Sequence, residues 1–152
     1  MTIKQRIDSD LKTALLNGDK RLVTTLRTLK SVILYVEVEM GKRNTGLNDD
    51  EIVGILQKEI KKRRESADLY DRGGRHDKAL EELREVEAIE RYVPPQLTDE
   101  ELTEIINRVI DEQGEVSPSN LGSIITSVRE LSKNRVDGSR IAKFVKKRLS
   151  QA

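Results

Sequence analysis

Cysteine and tryptophan are missing from this chain altogether, and proline occurs only three times. Without a thiol there is no disulfide framework, no thiolate nucleophile and no Cys-ligated metal site in any compartment. Aromatic residues make up 3% of the 152 positions, too few ring faces for sequence-specific stacking along a single strand of nucleic acid. The same scarcity argues against β-sheet, where aromatic and β-branched side chains concentrate. No run approaches the ~18 apolar residues of a membrane span. The start MTIKQRIDSDLK is charged from its fourth residue and lacks the apolar segment of a secretory signal. A cytoplasmic protein of bacterial type, with no membrane partner, is the expectation. An excess of one charge is absent too: 28 basic against 27 acidic residues leave +1. Any attraction for nucleic acid must therefore come from a local cluster.

What the chain has instead is charged and apolar residues, 36% of each class, the composition of amphipathic helices and an all-α fold. Ile3, Ile7, Leu11 and Leu15 recur every fourth residue and predict a helix that stops at Asn17-Gly18. Asp19 caps a second, central helix with Leu22, Leu26, Leu29, Val32, Ile33 and Val36 on one face, ending near Gly41. After a loop, Asn48 and Glu51 are spaced as a capping box for a third helix, with Ile52, Ile55, Leu56 and Ile60 inward. Its later turns, up to Tyr70, are expected to be more exposed, and Gly73-Gly74 ends it. A fourth helix, from about Asp77 to Tyr92, carries Ala79, Leu80, Leu83, Val86 and Ile89. The diproline Pro94-Pro95 marks the boundary between an N-terminal four-helix domain, 1–94, and a small three-helix domain, 95–152. In the latter, Thr98 to Glu101 forms a capping box, Gly114 closes the first helix, Ser117-Pro118 reads as N-cap and N1 of the second, and Asp137-Gly138 opens the last. Leu102, Ile105, Ile106, Val109, Ile110, Leu121, Ile124, Ile125, Val128, Leu131, Ile141, Phe144, Val145 and Leu149 supply its apolar positions.

Catalytic signals are hard to find. His76 is the single imidazole, has no Cys or Ser partner nearby in sequence, and reads as a surface residue. No phosphate loop, dinucleotide fingerprint, HExxH or GxSxG motif occurs. No catalytic residue, metal ligand, cofactor or small-molecule substrate is expected. The acidic run Glu81, Glu82, Glu85 and Glu87, beside Arg84, reads as a solvated helix face. The basic run Lys58, Lys61, Lys62, Arg63 and Arg64 spreads over more than one face, with Glu59 and Glu65 as partners. A sharper pattern lies in the C-terminal domain. From Gln96 to Val128 seven acids face one arginine, and from Arg129 onward eight basic residues face two acids. A positive face built from a helix end, a loop and the last helix matches phosphate spacing on RNA through shape and backbone contacts. The competing reading gives the same cations to helix C-termini and to acidic neighbours within the domain.

Several residues together resemble a known family. Leu26-Arg27-Thr28-Leu29-Lys30-Ser31, then Lys62-Arg63-Arg64-Glu65-Ser66, Tyr70, Gly74-Arg75-His76-Asp77, Ala79, Glu82 and Glu85 follow the pattern of the GatB/YqeY family. Tyr92-Val93-Pro94-Pro95-Gln96-Leu97, Leu121-Gly122, Asp137-Gly138 and Val145-Lys146 continue it, so the resemblance spans nearly the whole chain. The chain departs from the pattern at Ser123 and Asn134, where a lysine and a glycine are usual. Stand-alone members are similar to the helical tail of the B subunit of the tRNA-dependent amidotransferase. The resemblance implies a free-standing tail that binds tRNA weakly or accompanies an amidotransferase, a carbon-nitrogen ligase with glutamine as amide donor, without catalysis of its own. Gly122, Lys133, Arg135, Gly138, Arg140, Lys143 and Lys147 are the expected RNA-binding residues. The alternative is a protein-interaction adaptor that docks on an amidotransferase or an aminoacyl-tRNA synthetase through the end of the third helix, around Arg64 to Tyr70.

Overall fold

A computed structural model describes residues 1–150, and every regular element among them is helical: α1 (Ile3–Leu16), α2 (Lys20–Glu39), α3 (Asp49–Arg72), α4 (His76–Glu90), α5 (Asp99–Gln113), α6 (Leu121–Leu131) and α7 (Gly138–Ser150). Side-chain caps account for four of the starts. Thr2 with Gln5 and Asn48 with Glu51 form reciprocal capping boxes, Asp19 accepts from the Leu22 amide, and Thr98 accepts from the Glu101 amide. Each bond satisfies an amide that the first helical turn leaves without a partner. No helix among the described residues is long and apolar enough to cross a membrane.

The chain divides into two compact units, Met1–Val93 and Pro94 onward. In the first, α1 packs on α2 and α3 on α4, and α2 also touches α3 and α4. Leu26, Leu29 and Ile33 of α2 meet Ile7, Ile52, Leu56, Ile89 and Tyr92 in one core, the central place its wide apolar face predicts. Arg6 lies 5.2 Å over the Tyr92 ring and donates to the Arg91 carbonyl at 2.9 Å, while the Tyr92 hydroxyl donates to Asp10. These contacts bind the end of α4 to α1.

The α3–α4 hairpin approaches closely through the small buried residues Ala67 and Ala79. Leu80 and Leu83, expected in the apolar stripe of α4, are exposed instead, because Ala79, Val86 and Ile89 fill the contact. The acidic run of α4 is also not a purely solvated face. Arg63 pairs with Glu85, with Glu82 at 3.6 Å and with Glu59 at 3.9 Å, all four side chains being half-buried or less exposed. One guanidinium thus holds three carboxylates that repel one another without it.

In the second unit, Leu102, Ile106 and Val109 of α5, Ile124 and Val128 of α6, and Ile141 and Val145 of α7 form a separate core, completed by Leu97, Val116 and Val136. α6 begins at Leu121, later than Ser117-Pro118 suggests. The Asn120 side chain accepts from the Ser117 amide at 2.7 Å and donates to the Glu115 carbonyl at 2.9 Å, so a turn occupies 117–120 before the helix starts. Leu131, at the other end of α6, is exposed.

Candidate nucleic-acid interface

The basic second half of this unit consists of the end of α6, the turn to α7, and α7 itself. Its arginines and lysines behave differently. Arg135 donates to the Pro95 carbonyl at 3.0 Å and lies 3.7 Å from Glu101. Arg140 donates to the Leu97 carbonyl at 2.6 Å and to Asp99 at 2.5 Å, and stacks 5.8 Å over Phe144. Arg148 reaches Asn107 at 2.5 Å and Glu115 at 3.6 Å. Arg129 packs its guanidinium where a β-carbon on Gly138 would lie. The planar, multi-donor guanidinium suits such contacts with carbonyls and carboxylates, and in Arg135, Arg140 and Arg148 it ties the basic half of the unit to the acidic α5 and the segments flanking it, whereas Arg129 is exposed.

The lysines remain outside this network. Lys133, Lys143, Lys146 and Lys147 are exposed and form no ion pair among the described residues. Lys143 and Lys147 stand one turn apart on α7, and Lys146 lies three residues from Lys143, so the three ammonium groups are neighbours on one helix surface. Like charges at this spacing cost the helix a few tenths of a kcal/mol. A bound polyanion removes that cost.

The seven expected residues therefore separate. Lys143 and Lys147 come together on the open side of α7, and Lys133 is presented at the end of α6. Arg135 and Arg140 are engaged in holding the fold. Gly122 is exposed with no atom within 4 Å of an added β-carbon, and lies about 16 Å from Lys133 along α6 at 1.5 Å per residue. Gly138 makes room for Arg129, whose guanidinium lies where an added β-carbon would be. Lys146 was not among the expected residues. Its spacing from Lys143 was visible in the sequence, but only the structure separates the exposed lysines from the engaged Arg135, Arg140 and Arg148.

Comparison with known proteins gives this arrangement relatives. The chain is 26% identical to "Altered inheritance of mitochondria protein 41, mitochondrial" of Vanderwaltozyma polyspora, over 91% of this chain and 80% of the relative. It is 28% identical to the protein of the same name in Clavispora lusitaniae, over 80% of this chain and 71% of the relative. Among family profiles, that of the Yqey-like protein matches residues 4–149. Because that match runs through both compact units, from α1 to the last turn of α7, the chain belongs to the YqeY-like family.

Proposed function

We propose that this YqeY-like chain binds tRNA weakly through the lysine surface of its second unit, as a non-catalytic tail module that accompanies tRNA-dependent amide transfer. The observation that carries the reading is the division of labour among the cations: Arg135, Arg140 and Arg148 are bound to the chain's own polar groups, and Lys133, Lys143, Lys146 and Lys147 are left to solvent. Lysine is a mobile point charge suited to phosphates in a backbone-reading interface, and the chain has few aromatic rings for base readout. Titration of the purified protein with labelled bulk tRNA at low and moderate salt, followed by fluorescence anisotropy, tests it. Binding that weakens steeply with salt, and that the double variant Lys143→Glu, Lys147→Glu abolishes while its helicity stays intact, is the expected result. Absence of binding at low salt refutes the proposal. The proposal includes a cytoplasmic setting, which cell fractionation checks against the mitochondrial location carried in the relatives' names.

A protein-docking role is the second reading, favoured by the end of α3, where Leu69 is 67% and Tyr70 38% exposed. Capture of an amidotransferase or synthetase that survives ribonuclease, and is lost in Leu69→Glu, favours this role over RNA contact.

A further inference from the structure

The way the helices end singles out one residue. α1, α2 and α3 close with the same pair of backbone hydrogen bonds. The outer amides of Asp19, Lys42 and Arg75 donate to the carbonyls of Ala14, Glu37 and Tyr70 at 3.0, 2.7 and 2.8 Å. The inner amides are those of Gly18, Gly41 and Gly74, and these residues adopt φ of +69°, +67° and +77°. This closure needs one left-handed residue, and glycine adopts that conformation without a β-carbon clash. α6 closes by the same pair: the Asn134 amide donates to the Arg129 carbonyl at 3.2 Å and the Lys133 amide to Glu130 at 3.1 Å. Here the residue in glycine's place is Lys133, at φ +53°, and Asn134 after it is left-handed as well, at φ +62°.

A lysine in this conformation is disfavoured by its own β-carbon. Nothing in the chain compensates, because its side chain is exposed and forms no ion pair among the described residues. A cation near the C-terminus of a helix gains from the helix dipole, but Arg129 already supplies one in the last turn of α6. What Lys133 adds is an ammonium group on a turn fixed by two backbone bonds.

We propose that Lys133 is the anchoring phosphate contact of the RNA surface, kept where glycine would close the helix better because its charge is needed there. The proposal rests on the reading of the lysine surface as an RNA-binding face.

Four full-length proteins test it: wild type and the variants Lys133→Gly, Lys133→Ala and Lys133→Arg, each measured for thermal unfolding and for bulk tRNA binding across a salt series. Lys133→Gly is expected to unfold about 2–4 °C higher and to bind several-fold more weakly, with the log–log salt slope shallower by about one. Lys133→Ala loses the same binding without the gain in stability, since alanine keeps the clash. Lys133→Arg keeps both affinity and slope. Wild-type affinity and slope in Lys133→Gly overturn the anchoring role, and an unchanged or lower unfolding temperature in that variant overturns the trade. Wild type that binds no tRNA fails the RNA reading itself and this proposal with it. Wild type that binds, beside a Lys133→Gly that binds equally, fails this proposal alone.

Discussion

Glu37 is a carboxylate at a core position of α2, with only 2% of its surface exposed. It accepts from the Lys4 ammonium at 2.9 Å and from the Leu47 amide at 2.9 Å, and so links α1, α2 and the loop before α3. Burial pushes the carboxyl up, but the Lys4 hydrogen bond, the Leu47 amide and the Lys4 charge outweigh it and hold the group below the ordinary glutamate range. A depressed folded-state value means that the stabilisation is complete above the ordinary carboxylate range and is lost as pH falls through the folded value. Glu37→Gln keeps an acceptor for Leu47 and loses the charge, at a cost of about 2 kcal/mol near neutral pH. In urea unfolding, the gap between wild type and Glu37→Gln is expected to shrink once the pH drops below the ordinary value of 4.5. A gap that is the same in acid and at neutral pH contradicts the charge-based account. The position of Glu37, four residues beyond Ile33 on the core stripe, was legible in the sequence. Its burial was not, because the partners that make it tolerable lie 33 residues before it and 10 residues after it.

Among the elements, starts and stops written in local chemistry were the easiest to read. The caps at Asp19, Asn48 and Thr98 and the stop at Gly18 fall where the side chains and glycines place them. The start of α6 was hidden, because Asn120 captures the Ser117 amide in a competing turn that a Ser-Pro pair does not announce. The charge reversal between α5 and α7 was equally plain, but its meaning depends on which cations the fold uses. Arg140 clips the segment before α5 to α7 through the Leu97 carbonyl and Asp99, and the Leu97 amide returns a bond to the Arg135 carbonyl at 3.0 Å. Arg140→Ala is therefore expected to destabilise the second unit by about 2 kcal/mol, the worth of charge-assisted hydrogen bonds left unmade. Amide hydrogen exchange should show it as faster exchange at Leu97 and in the core amides of α5 to α7, with protection in α1 to α4 unchanged. Protection equal to wild type in α5 to α7 shows that the clip is dispensable. If the RNA reading holds, charge reversal at Arg140 weakens binding for a structural reason, and only substitutions at the exposed lysines separate binding from folding.

At the scale of the whole molecule, a net charge of +1 conceals where the charge acts. From Pro94 onward nine basic residues match nine acidic ones, so that unit is neutral and the proposed attraction for phosphate has to come from separation of charge along the surface. The two cores share no residue, which predicts that residues 1–93 and 94–152 fold as separate fragments. The shorter one, with fewer than 60 residues, no cysteine and no cluster of metal-ligand side chains among the described residues, should melt at the lower temperature in circular dichroism. If the fragment 94–152 is helical and the RNA reading holds, it should bind tRNA with the salt slope of the full chain. Four phosphate contacts correspond to a slope of roughly −3. A fragment that is folded yet binds with a distinctly shallower slope moves part of the interface into residues 1–93. There the exposed Lys58 and Lys62 of α3 are the cations to substitute next, and how far their loss flattens the slope of the full chain decides their share.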